Sequence, residues 1–146
     1  KDESLEINYD FMGRVSNRKN IINGAIEILD YLQPKYKMYV VSNGFTEVQD
    51  KKICNAGVGN YFKKVILSDH VGKNKPHPII FNYALQEAGV SSSDCIMIGD
   101  NIKTDIIGAK NSGIDQVWFN PKGLKDNDNI SPNYTIESLD QLRDIL

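Results

Sequence analysis

Cysteine is scarce in this chain: there are two, Cys54 and Cys95, far apart in sequence and each in an apolar run. That usage argues against a disulfide framework and for reduced, buried thiols in a cytosolic protein. Histidine is equally scarce. His70 and His77 are poorly spaced for zinc and read as loop residues. No apolar run approaches the ~20 residues that span a bilayer, and no signal peptide is visible. A cytoplasmic protein without a membrane partner is expected. Charge of one sign is also lacking, because the net charge is −2, and this gives no basic face for nucleic acid. No methionine precedes Lys1, so the expectation is a chain that starts inside a longer natural protein.

What is present is an alternation of helical and strand patterns, the signature of an α/β protein with a doubly wound parallel sheet. Residues 4–12 read as a short helix ending at Gly13. Ala25, Ile28, Leu29 and Leu32 form one apolar stripe, which predicts a helix from Asn23, its cap, to Leu32, with Pro34 preventing continuation. Met38–Val41, Val65–Leu67, Cys95–Ile98 and Val117–Phe119 read as buried strands. Thr46–Gln49 is a capping-box pattern opening a helix that Gly57 would close. A polar loop from Ser68 to His77 precedes a helix that Pro78 starts and Gly89 stops. A further helix runs from about Thr104 to Gly113. Tyr134–Ile136 suggests an edge strand, and Leu139, Leu142 and Leu146 stripe a last helix.

Ligands of such sheets bind at the carboxyl ends of the strands. Three strands end there in Ser42, in Ser68-Asp69 and in Asp100. Each has a dull explanation, since Ser, Asp, Asn and Gly are ordinary turn residues. Together they suggest more. Ser42-Asn43-Gly44 offers a hydroxyl and backbone N–H groups near a helix start, where an anion is stabilised. Lys75, before the third helix, could neutralise a phosphoryl group or be a solvated surface lysine. Asp100 and Asp105 could converge on one cation such as Mg²⁺, or merely close a turn and favour a helix start.

The ordered set Ser42-Asn43-Gly44, Lys75-Pro76 and Gly99-Asp100-Asn101-Ile102-Lys103-Thr104-Asp105 resembles motifs two, three and four of the haloacid dehalogenase (HAD) superfamily of phosphohydrolases. The flanks agree, with Phe62, Pro78-Ile79-Ile80-Phe81 and Gly108-Ala109-Lys110-Asn111-Ser112-Gly113-Ile114, over roughly residues 20–122. The resemblance implies a Rossmann-like HAD core from residue 21 to 146, preceded by a remnant of a helical cap and linker at 1–20. It implies a Mg²⁺-dependent hydrolase of phosphate monoesters acting on a small phosphorylated metabolite. Ser42, with the backbone of Asn43 and Gly44, would hold the phosphoryl group. Lys75 would pair with nucleophile and phosphate, and Asp100 would ligate Mg²⁺. Asp105 would support the metal's water shell or orient Lys75. Ser42-Asn43-Gly44-Phe45 through Gln49 and Lys52, with Trp118-Phe119-Asn120-Pro121, is similar to the nucleoside-monophosphate 5′-nucleotidase branch. Neighbouring branches act on phosphoglycolate or sugar phosphates, or are haloacid dehalogenases.

The family's first motif, an apolar strand ending in Asp-x-Asp, has no match. Asp2-Glu3-Ser4 and Asp126-Asn127-Asp128 follow no apolar strand. The expected fold is therefore a core lacking its central N-terminal strand, completed by a missing segment or by another copy, and a fragment without activity of its own. The intact enzyme would work through an aspartyl-phosphate on the missing residue. The rival readings are a phosphate-binding pseudo-enzyme without turnover and a receiver-like binding module.

Overall fold

The structure, a computed structural model, describes residues 4–7, 22–44 and 57–146. Its strands are β1 (Ser4–Ile7), β2 (Lys37–Ser42), β3 (Phe62–Leu67), β4 (Cys95–Gly99), β5 (Asp115–Phe119) and β6 (Tyr134–Ile136). They form one sheet in the order β3-β2-β1-β4-β5-β6, and every pairing is parallel. The helices are α1 (Ala25–Leu32), α2 (Ser68–Val71), α3 (Pro78–Ala88) and α4 (Ile107–Asn111), the last preceded by a π-helical turn at Ile102–Ile106 and followed, after β6, by a 3₁₀ segment at Leu139–Asp144.

Both faces of the sheet are covered, which is why its central strands read as continuous apolar runs. Alternate residues of β2 go to opposite sides. Met38 and Val40 join Ala25, Ile28, Leu29 and Leu32 of α1, together with Leu139 and Leu142. Tyr39 and Val41 join Ile80, Phe81 and Ala84 of α3 and Ala109 of α4. The α1 stripe is buried as its spacing predicted, but Asn23 is not the cap: Gly24 takes that place at φ 83°, with no side-chain cap bond. Helix α3 begins at Pro78 and ends against Gly89 at φ 69°, as expected. Part of the polar loop before it is helical at Ser68–Val71. The expected helix between Thr46 and Gly57 and the second cysteine, Cys54, lie outside the described residues, whereas Cys95 is buried.

The expectation of a core without its central strand is corrected. Ser4–Ile7 lies between β2 and β4, with Ile7 opposite both Val40 and Ile98. Those four residues belong to the core sheet, not to a cap remnant, and they are strand rather than helix. The reason is the cost of the alternative. An empty slot between two parallel strands leaves two rows of backbone donors and acceptors unpaired, and ladder formation overrides weak local preference. The position is thus filled from within this chain. The last described pair places Ile7 two residues before the level of Ser42 on one side and of Asp100 on the other.

Two close packings fix the parts that carry the site. A Cβ at Gly108 would sit 2.3 Å from Phe81 Cε2 and 3.1 Å from Pro76 Cα, so only glycine lets α4 press against α3 and the Lys75-Pro76 segment. After β5, Asp126 braces the loop to β6. Its carboxylate accepts from Ile130 N at 2.9 Å and Ser131 N at 2.8 Å. These backbone donors, Ile130 foremost, hold its carboxyl below the usual carboxylate range. Lys110 donates to the Ile130 carbonyl, and Ile130 packs against Trp118 and Ile106.

Gly108→Ala should lower the unfolding free energy by about 1–3 kcal/mol through overpacking, measured by urea titration; an unchanged midpoint would contradict the packing described. Because the folded-state pKa of Asp126 is depressed, its contribution is present above the unfolded-state pKa and lost as pH falls through the folded one. The Tm difference between wild type and Asp126→Ala should therefore be steady near neutrality and shrink on acidification below the ordinary carboxylate range. A difference that grows in acid would contradict the loop brace.

Candidate functional site

The site is built where β2, the loop before α3 and the turn after β4 meet. Lys75 is the hinge of this arrangement. Its ammonium is buried and donates to Val41 O at 3.0 Å and to Asp105 Oδ1 at 2.7 Å. The side chains of the pair are 1% and 0% exposed. This excludes the solvated-surface reading of Lys75. The backbone of the same residue is gripped by Asn43: Lys75 N donates to Asn43 Oδ1 at 2.7 Å, and Asn43 Nδ2 donates to Lys75 O at 3.2 Å. The peptide bond from Lys75 to Pro76 is cis.

Asp105 is fully engaged. Besides Lys75, it accepts from Asn101 N at 3.0 Å through Oδ2 and from Thr104 Oγ1 at 3.5 Å through Oδ1. Gly99 makes this possible, since a Cβ there would lie 2.5 Å from Asp105 Cβ and 2.6 Å from Oδ2. The turn is shaped by Asn101, whose Oδ1 accepts from Lys103 N at 3.0 Å and Thr104 N at 3.3 Å. This caps the π-helical turn, and such turns recur at functional sites. The helical run thus starts at Ile102 rather than at Thr104. An asparagine is a favoured helix cap, so Asn101 itself is the sequence signal for this start.

Ser42 ends β2 with a fully buried hydroxyl that has no partner among the described residues. A buried unpaired hydroxyl is costly, on the order of 1–3 kcal/mol. Among the described residues nothing satisfies it, and an anion oxygen would. Gly44 N, expected to face an anion, donates instead to Ser68 Oγ at 3.2 Å. Asp100 is exposed at the end of β4, and its carbonyl accepts from Trp118 Nε1 at 3.0 Å, a contact with no signal in the sequence. Next to Ser42, a cavity of about 410 Å³ opens between Asn43, Gly44, Ser68, Asp69, Gly72 and Asn74. It borders the Ser42 side of the site and does not reach Asp100.

The four predicted positions are thus brought together. Ser42 follows the residue whose carbonyl holds Lys75, Lys75 is bonded to Asp105, and Asp105 is bonded to the amide next to Asp100. The donor chemistry fits Mg²⁺, which takes hard oxygens and is held by one or two carboxylates, with phosphate and water completing its shell. Asp100 would be the direct carboxylate, because both oxygens of Asp105 already have protein donors. No cluster of three or more His, Cys, Asp or Glu side chains suited to a metal occurs among the described residues. The histidines stay local: Leu67 N donates to His70 Nδ1 at 3.4 Å, and Ile79 N donates to His77 Nδ1 at 3.2 Å, capping α3.

The chain is similar to known proteins in sequence and fold. The family model described as haloacid dehalogenase-like hydrolase matches residues 6–119. The chain is 30% identical over 145 residues to pyrimidine 5′-nucleotidase YjjG of Escherichia coli K12, covering 99% of this chain and 64% of that protein. It is 34% identical to pyrimidine 5′-nucleotidase PynA of Streptococcus pneumoniae, over 86% of this chain and 54% of that one. A crystal structure of the HAD-hydrolase named YfnB of Bacillus subtilis, bound to magnesium, superposes with TM-score 0.83 at 31% identity, over 88% of this chain and 58% of its own. The chain thus spans a little over half the length of these relatives.

A buried ion pair that loses one partner leaves an uncompensated charge. Asp105→Ala should therefore cost about 3–5 kcal/mol of stability, while Lys75→Met/Asp105→Leu should cost less than that single change. Chemical denaturation of the three proteins checks this, and a single variant as stable as wild type would contradict the buried pair.

Proposed function

The chain belongs to the haloacid dehalogenase-like hydrolase family, and we propose that its site serves the Mg²⁺-dependent hydrolysis of small phosphate monoesters, nucleoside monophosphates first among them. One observation supports this reading: a buried ammonium is bonded both to β2 and to the turn after β4 that exposed Asp100 opens, and the buried hydroxyl that ends β2 has no partner among the described residues. Phosphoryl transfer needs such positioning and charge stabilisation above all. The names of the two nucleotidase relatives support the choice of substrate.

In this reading Ser42 donates its hydroxyl proton to a phosphoryl oxygen. Lys75 keeps two of its three N–H bonds on Val41 and Asp105 and turns the third to the phosphoryl group. Asn43 sets the Lys75 backbone, and Asp105 orients the ammonium rather than ligating a cation. Asp100 would hold Mg²⁺, which when bound neutralises charge developing on the transferred group. The cavity beside Asn43 and Gly44 would receive part of the leaving group. Ser4–Ile7 is followed in sequence by Asn8-Tyr9-Asp10 and not by Asp-x-Asp, so a nucleophilic aspartate is proposed to come from a further segment, which would have to take the central slot that Ser4–Ile7 fills here. A helical cap extending from residues near 8–20 would belong to the same intact protein. Phosphate binding without turnover is a second reading, favoured by the lack of that motif. A cytoplasmic setting fits the scarcity of cysteine, two in the whole chain; among the described residues no helix is long and apolar enough to cross a membrane.

The 146-residue chain should not turn over uridine monophosphate. The intact protein should do so only with Mg²⁺, and Asp100→Ala and Lys75→Ala should each lower kcat/KM by about 100-fold or more with the fold retained by circular dichroism. Near-normal rates in both variants would remove these residues from the chemistry. Phosphate binding by an intact protein that never turns over would favour the second reading.

A further inference from the structure

Trp118 is the one tryptophan of the sequence. It stands on β5 opposite Gly99 of β4, is 3% exposed and packs against Ile106 and Ile130. Filling that space asks only for a large apolar side chain. An indole adds an N–H that needs a partner when buried, and here the partner is the carbonyl of Asp100 at 3.0 Å. The N–H of the same peptide unit, that of Asn101, donates to Asp105 Oδ2 at 3.0 Å. The Asp100–Asn101 peptide is therefore held at both its polar groups, by Trp118 from β5 and by Asp105 from the helical side. A peptide plane fixed at both ends cannot rotate without breaking both bonds. Its orientation sets the backbone of Asp100 and with it the direction in which the carboxylate leaves the chain.

We propose that Trp118 is a positioning residue: with Asp105 it clamps the Asp100–Asn101 peptide and thereby aims the Asp100 carboxylate at a divalent cation. The proposal rests on the assignment of Asp100 to Mg²⁺. It goes beyond a packing role, because it makes the indole N–H, and not the ring volume, the group that matters. Partners of this kind, one bond removed from a ligand, typically change metal affinity by about 10–100-fold when lost.

The single indole gives one ¹H–¹⁵N cross-peak, so the test needs no turnover. The chain is titrated with MgCl₂ alone, and the indole signal and the Asp100 and Asn101 amides are followed. The expected result is a saturable shift of all three with one midpoint, abolished in Asp100→Asn. Replacing Trp118 by 3-benzothienylalanine keeps the shape and removes the donor. It should raise the Mg²⁺ midpoint read from the amides about tenfold, with the thermal midpoint little changed. Trp118→Phe is the second variant and should raise the midpoint by a similar factor. Equal midpoints in wild type and in the benzothienylalanine protein, with amides that shift normally, would overturn the role of Trp118 and leave Asp100 in place. Signals that stay still in wild type at any Mg²⁺ concentration would overturn the assignment of Asp100 and this proposal with it.

Discussion

The ion pair between Lys75 and Asp105 ties together three stretches of chain that are far apart in sequence. One partner lies in the loop before α3, the other on the π-helical turn after β4, and the ammonium also holds a carbonyl of β2. Two opposite charges removed from water are tolerated only with close geometry and further hydrogen bonds. Each neighbouring feature supplies part of that. Gly99 gives Asp105 room, Asn101 and Thr104 donate to its oxygens, and Asn43 fixes the backbone of Lys75. The pair is a weak source of stability but a strong source of position. It places an ammonium on the carbonyl of Val41, the residue before Ser42, and ties Lys75 to the turn that carries Asp100.

The parallel sheet explains why these groups meet. Its strands all point one way, so the loops after β2 and β4 emerge at the same edge. Strand β1 lies between them. Filling the central slot satisfies the backbones of β2 and β4 and keeps their ends at a fixed separation. The sequence of β1, Ser-Leu-Glu-Ile, is not the continuous apolar run usual in a central parallel strand. The fold needs something in that slot more than it needs this particular segment.

Where local pattern and tertiary demand agree, the structure was legible in the sequence. The α1 stripe, the Pro78 start and Gly89 stop of α3, and the edge strand at Tyr134–Ile136 lie where periodicity and turn residues put them. The convergence of Ser42, Lys75, Asp100 and Asp105 could be anticipated from motif order, because in a parallel sheet each motif follows a strand. Residues 4–7 carry a helical pattern in sequence, and the ladder that makes them a strand belongs to their neighbours and not to them. The second role open to Asp105, orienting Lys75, could be chosen over the first only by seeing its oxygens occupied. The Trp118 bond to Asp100 spans two strands and leaves no local pattern. His77 as a cap was hidden as well, since histidine is an uncommon choice there.

The central claim is that one rim binds a phosphoryl group and its cation together. A crystal structure of this chain grown with magnesium and orthovanadate tests it most directly. The account predicts vanadate oxygens within hydrogen-bond distance of Ser42 Oγ and Lys75 Nζ, with magnesium on the Asp100 carboxylate. Vanadate bound elsewhere, with the Ser42 hydroxyl still unpaired and Asp100 free of metal, would contradict it.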